Sequence, residues 1–100
     1  MKKGKRVAAI LTANEKTVSL LGFGTYVGDE VPDENAVGVL AEALRECSAR
    51  NPKIELDNGD VVWGCECWWG DEKIVKAKFA DREIIPVDIN KVRADHYAQV

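Results

Sequence analysis

No apolar run among these 100 residues approaches the ~18 consecutive positions needed to cross a bilayer as a helix, which argues against a membrane partner. A basic surplus is missing as well. With 14 Lys and Arg against 17 Asp and Glu, the formal charge is -3, and gripping a phosphate backbone needs a basic face. Nucleic acid is therefore not the expected partner. The basic cluster that exists (Lys2, Lys3, Lys5, Arg6) sits at one end of the chain and reads as solvent-facing. Histidine is nearly absent, with His96 alone, so any His-dependent chemistry rests on one residue. The start "MKKGKR" followed by "VAAILTA" imitates a secretory leader, but the apolar run is short and charged "NEK" stands where a cleavage site belongs. Three cysteines without an export signal point to free thiols in a reducing cytoplasm. No repeat, linker or low-complexity tract divides the chain, and one domain over 1–100 is expected.

What is present is a succession of β-leaning runs with helical interruptions. Residues 5–13 and 17–27 are apolar, separated by the polar turn "NEK", and predict a first hairpin. Residues 34–50 change period: Ala36 or Val37, Leu40, Ala43 or Leu44, and Cys47 recur at helical spacing, started by Pro32 and Asp33 and stopped by Asn51-Pro52. Asp71 reads as the N-cap of a short helix through about Asp81, with Ile74, Val75 and Phe79 apolar. "REIIPVDI" (82–89) predicts a last strand, placed at an edge by Pro86, and the tail can form one or two helical turns. The order β-β-α-β-β-α-β implies an α+β fold: a mostly antiparallel curved sheet or small SH3-like barrel with two helices.

The densest signal is "NPKIELDNGDVVWGCECWWG". Asn58-Gly59 suits a two-residue type I′ hairpin, whose two turn positions both need positive φ. That turn pairs Leu56 with Val61 and Ile54 with Trp63. Strand alternation then puts Ile54, Leu56, Val61, Trp63, Cys65, Cys67 and Trp69 on a core face, with Lys53, Glu55, Val62, Glu66 and Trp68 opposite. Trp68 is thereby aimed at solvent, at a partner or beneath a helix.

The candidate chemistries compete with plainer explanations. Cys47, Cys65, Cys67 and His96 supply the ligand count of a tetrahedral zinc site, but a Cys-x-Cys pair within a strand lacks the tight-turn spacing of a zinc knuckle. Buried structural thiols are the expectation. A cysteine nucleophile working with His96 needs an adjacent base and an electropositive setting that the spacing does not supply. Gly22, Gly24 and Gly28 follow neither a dinucleotide fingerprint nor a P-loop, and suit a strongly bent strand or, alternatively, a ligand approaching bare backbone. The acidic loop at 29–34 has no calcium-loop pattern.

Taken together, "LLGFGTYVGDEVP", "NPKIELDNGDVVWGCECWWG" and "IIPVDI" resemble a group of small uncharacterised proteins, some encoded by bacteriophages. The resemblance implies a cytoplasmic accessory protein and carries no catalytic residue. The expectation from the sequence is a non-enzymatic binding module without a cofactor, its surface built from Gly22, Phe23, Gly24, Tyr26, Lys53 and Trp68, and a homodimer is one way to cover Trp68. The rival is capture of a nucleotide-like small molecule by stacking on tryptophan, with Lys53 as its cation. A Cys/His enzyme or zinc protein is the third alternative.

Overall fold

The computed structural model describes residues 2–98. Along the chain run β1 (Arg6–Ala13), β2 (Thr17–Glu30), α1 (Val39–Glu46), β3 (Asn51–Leu56), β4 (Val61–Trp63), β5 (Trp68–Asp71), α2 (Glu72–Lys78), β6 (Glu83–Pro86) and α3 (Ile89–Ala98). The fold is α+β. Its six strands make one open sheet in the order β4-β3-β2-β1-β5, with β6 against β2. Every pairing is antiparallel except β2 with β6. The sheet does not close on itself, so the curved sheet forms and the barrel does not.

β1 shows why the sheet needs cover on both sides. Val7, Ala8 and Ala9 are fully buried in succession, and Ile10 is nearly so. Successive side chains of a strand point to opposite faces, so an unbroken buried run requires a layer on each. On one face Val7 and Ala9 join Leu21, Tyr26, Ile54, Leu56 and Val62 in the main core, closed by Ile89, Val87 and Val92 at and before α3. On the other, Ala8 and Ile10 lie with Phe23 and Gly70 under α2. Asp71 caps α2 as expected, its carboxylate accepting from the backbone N–H groups of Lys73 and Ile74.

Four expectations need correction. The β3–β4 turn is not type I′. Only Gly59 has positive φ (94°), and the Gly59 N–H donates to the Leu56 carbonyl while the Leu56 N–H donates to that of Asp60. This is a three-residue loop with Gly59 in the left-handed region, and it slips the register by one. Ile54 now pairs with Val62, and Lys53 with Trp63. A one-residue slip exchanges faces, so Val62 enters the main core while Val61 and Trp63 turn to the opposite side. There Trp63, 2% exposed, is covered by Ala36 and Ala41.

The expected long strand through both cysteines is broken at Gly64–Cys67, and β5 starts afresh against β1. Asn51 braces the turn that replaces it: its side-chain oxygen accepts the Cys65 N–H at 2.7 Å. The first helix is also shorter than 34–50. Gly38, at φ 107°, is not helical, and Ser48, at φ 55°, turns the chain away beyond Cys47. Leu40 and Cys47 are consequently exposed, while Asn51-Pro52 opens β3 rather than ending a helix. Finally, the tail is a ten-residue third helix, so the predicted two helices become three. β6 does form at an edge with Pro86 in it, yet parallel to β2.

Candidate functional site

The turn at 64–67 contains a polar centre that alternation had put in solvent. The Glu66 side chain is 1% exposed. One carboxylate oxygen accepts from Arg93 Nη2 at 2.7 Å and from the Trp63 N–H, and the other from Arg93 Nε at 3.0 Å and from the Val37 N–H. Arg93 Nη2 also donates to the Val61 carbonyl. Burial works against the Arg93 charge, but the two-pronged bond to Glu66 outweighs it and holds the guanidinium pKa above its ordinary value. A buried carboxylate is tolerated only when paired and hydrogen-bonded, and this one is fully supplied. It joins the turn, the loop before α1 and α3. Both carboxylate oxygens are occupied twice over, leaving no open position on the carboxylate for substrate.

The thiols around it are poor nucleophiles. Burial pushes the Cys67 thiol up to about 12, reinforced by the Glu66 charge, and its S–H donates to the Trp63 carbonyl at 3.5 Å. Cys65 is raised for the same reasons, burial first. Cys47 lies exposed beyond α1 rather than on a buried stripe, its thiol facing the Leu44 carbonyl at 3.7 Å. His96 stacks edge-on to Tyr97 in α3. Among the described residues no three His, Cys, Asp or Glu side chains gather as a metal site, so Cys47, Cys65, Cys67 and His96 do not assemble the alternative zinc centre.

The predicted binding surface is divided among separate places. Tyr26 is buried, its ring stacked on Trp69 at 5.8 Å and its hydroxyl donating to Asp29. Gly22 and Gly24 serve β2–β3 packing. A Cβ on Gly24 would lie 2.4 Å from the Glu55 carbonyl oxygen and 2.8 Å from the Leu56 Cα, while the Leu56 methyls cover Gly22. The glycines are therefore filled by neighbouring chain and are not open to a ligand. Phe23 sits beneath α2, with the Lys76 ammonium 4.6 Å from its ring. Lys53 pairs with Glu30 and lies over Trp63. It is three strand positions from β5, about 14 Å across the sheet, and it is level with Gly28 of β2 whereas Trp68 is level with Leu20, so the two are also well separated along the strands. Two residues of the basic N-terminal cluster are likewise engaged: Lys5 pairs with Asp71, and Arg6 with Asp57 and Glu72.

Trp68 alone of the predicted set faces outward, at 75% exposure. It stands at the lip of a groove of about 500 Å³ lined by Ile10, Leu11, Thr12, Ala13, Trp68, Lys78, Phe79 and Arg82. A second hollow of about 160 Å³ continues past Phe79 and Arg82 to Phe23 and Ile84. The Phe79 ring is flanked by the Lys78 ammonium at 5.6 Å and the Arg82 guanidinium at 4.6 Å. Arg82 is steadied by donating to the Asn14 carbonyl at 2.7 Å. Neither Lys78 nor Arg82 has an ion-pair partner among the described residues, and no carboxylate lines the groove. In a chain of charge -3 this is a cationic, aromatic recess.

Sequence reasoning found Trp68 but missed Lys78, Arg82, Glu66 and Arg93. For Lys78 and Arg82 a signal existed, since "KFADR" sets two cations around an aromatic at the end of a predicted helix. For Glu66 and Arg93 there was none, because they meet across 27 residues through a turn that local pattern does not specify. Compared with known proteins, the chain matches no family, no curated relative and no solved structure.

Proposed function

We propose that this protein is a non-enzymatic accessory binding protein and that its binding surface is the groove beside Trp68. The observation that carries the proposal is the large exposed aromatic at a recess whose cations have no acidic partner among the described residues. A monomer gains nothing in stability from an outward tryptophan, whereas tryptophan and arginine are the side chains most enriched at binding hot spots. The groove volume falls in the range of ligand sites. Cys65 and Cys67, held protonated, favour binding over thiol catalysis. Three free thiols fit a reducing, cytoplasmic setting.

A second reading, capture of a nucleotide-like anion, is favoured by Lys78 and Arg82 standing where a phosphate would need them beside a stacking ring. The test uses the three indole N–H signals in a proton–nitrogen correlation spectrum, assigned by substitution. Ligands from a mixed peptide and nucleotide panel should move the Trp68 signal and leave the buried Trp63 signal in place. If ligands bind while the Trp68 signal stays fixed, the surface lies elsewhere and the proposal fails.

A further inference from the structure

The groove has a wall of unusual composition. Ile10, Leu11, Thr12 and Ala13 all line it, four residues in unbroken succession. A recess on a sheet face is lined by every second residue, because side chains alternate. Consecutive residues line a recess where the pairing is irregular, as at Leu11, which has no partner on β2, or where the strand presents its edge. The pairing agrees. β5 accompanies β1 from Val7 to Ile10, where Ile10 meets Trp68, and then stops, while β1 continues to Ala13 with β2 on its other side. The turn at 64–67 carries the preceding chain away from this line. Leu11–Ala13 is thus a length of strand edge, about 10 Å long, with no strand of the described residues beside it on the groove side.

We infer that this edge accepts an extended, acidic segment of a partner protein, added as a short strand in line with β5 between Trp68 and the Lys78/Arg82 pair. The inference rests on the groove being the binding surface and names its occupant. An added strand exchanges main-chain hydrogen bonds with Leu11–Ala13, and every second side chain packs on the α2 face against Trp68 and Phe79. Charge selects the partner. Lys78 and Arg82 are the only charged residues in the groove lining, both cationic and both without an ion-pair partner among the described residues, so carboxylates complement the recess and a basic segment is repelled. An antiparallel strand would run toward Trp68, occupying the path that β5 would follow if it extended backward.

The probe is a fluorescein-labelled peptide of alternating glutamate and valine, with two controls: lysine in place of glutamate, and the acidic peptide N-methylated at alternate amides. The acidic peptide should bind saturably, and amide hydrogen exchange should slow at Leu11–Ala13 in its presence. N-methylation, which removes donors without changing charge, should weaken binding by about tenfold or more. The lysine peptide should not bind. Lys78→Glu should reverse the preference between the two peptides, and Trp68→Ala should weaken binding by at least about tenfold with an unchanged melting temperature.

If the N-methylated peptide binds as well as its parent while the Trp68 indole still responds, the groove binds anions by charge alone; strand addition is then overturned and the broader binding proposal survives. A protein that is already dimeric, with Leu11–Ala13 protected before any peptide is added, would make a second copy the occupant and overturn the inference. Absence of binding by the acidic peptide would reduce Lys78 and Arg82 to guards that keep a bare edge from aggregating.

Discussion

Glu66 and Trp68 stand two positions apart in one strand-like stretch and were expected side by side on an outward face. The structure sends one inward and leaves the other out: the Glu66 side chain is 1% exposed, whereas Trp68 is 75% exposed. Glu66 has four hydrogen bonds, two of them from a guanidinium, while the cations near Trp68 have no ion-pair partner among the described residues. Chemical type is therefore a poor guide to role. A charged residue whose every acceptor is supplied holds the fold together, and an apolar residue left in water beside unpaired charge is available to a partner.

The comparison breaks most easily at Arg93. Arg93→Met leaves Glu66 buried and without its counter-charge, and chemical denaturation should show a loss of about 3–5 kcal/mol. An unchanged midpoint would mean that the pair is decorative. Next is Gly24, which belonged to the expected surface and lies in the structural half. Gly24→Ala drives a methyl into the β3 backbone and should lower stability by about 1–3 kcal/mol while leaving groove binding intact in the folded fraction.

A smaller effect comes from the surface ion pairs at the other end of the sheet. Arg6 holds the Asp57 carboxylate below its ordinary range, Lys5 does so for Asp71, and Lys76 with Arg6 does so for Glu72. Lowered folded-state values contribute stability that is present above the unfolded carboxylate range and lost as pH falls through the folded values. Urea midpoints should therefore decline on acidification below about pH 4, with a shallower decline in a Lys5→Met/Arg6→Gln variant or in high salt. The smallest stability effect is expected at Trp68. Trp68→Ala should stay within about 0.5 kcal/mol of the parent. A larger loss would place Trp68 with Glu66 among the structural residues and erase the contrast.

Much of the architecture was legible because it is written locally. The first hairpin follows from apolar runs around "NEK", the α2 cap from Asp71 before a helical period, and the edge position of β6 from Pro86. The class α+β followed from the same local rules, whereas the aim of Trp68 stayed open among solvent, a partner and a covering helix. Where local rules admit two answers, the chain chose by packing. Asn58-Gly59 is compatible with a two- or a three-residue loop, and the longer one forms because it buries Val62 with Ile54 and leaves Trp63 to Ala36 and Ala41. Gly38 could have been helical and instead takes a positive φ.

The amino-acid order alone thus settled most of the element types, the acidic balance and the single histidine, since period, turn chemistry and composition act over a few residues. Only the tertiary structure could decide that Glu66 meets Arg93, that Tyr26 stacks on Trp69, and that Lys78, Phe79 and Arg82 stand beside a free length of β1. These pairings join residues far apart in the chain, and they are selected by the burial and hydrogen bonding of the whole sheet rather than by any neighbour in sequence.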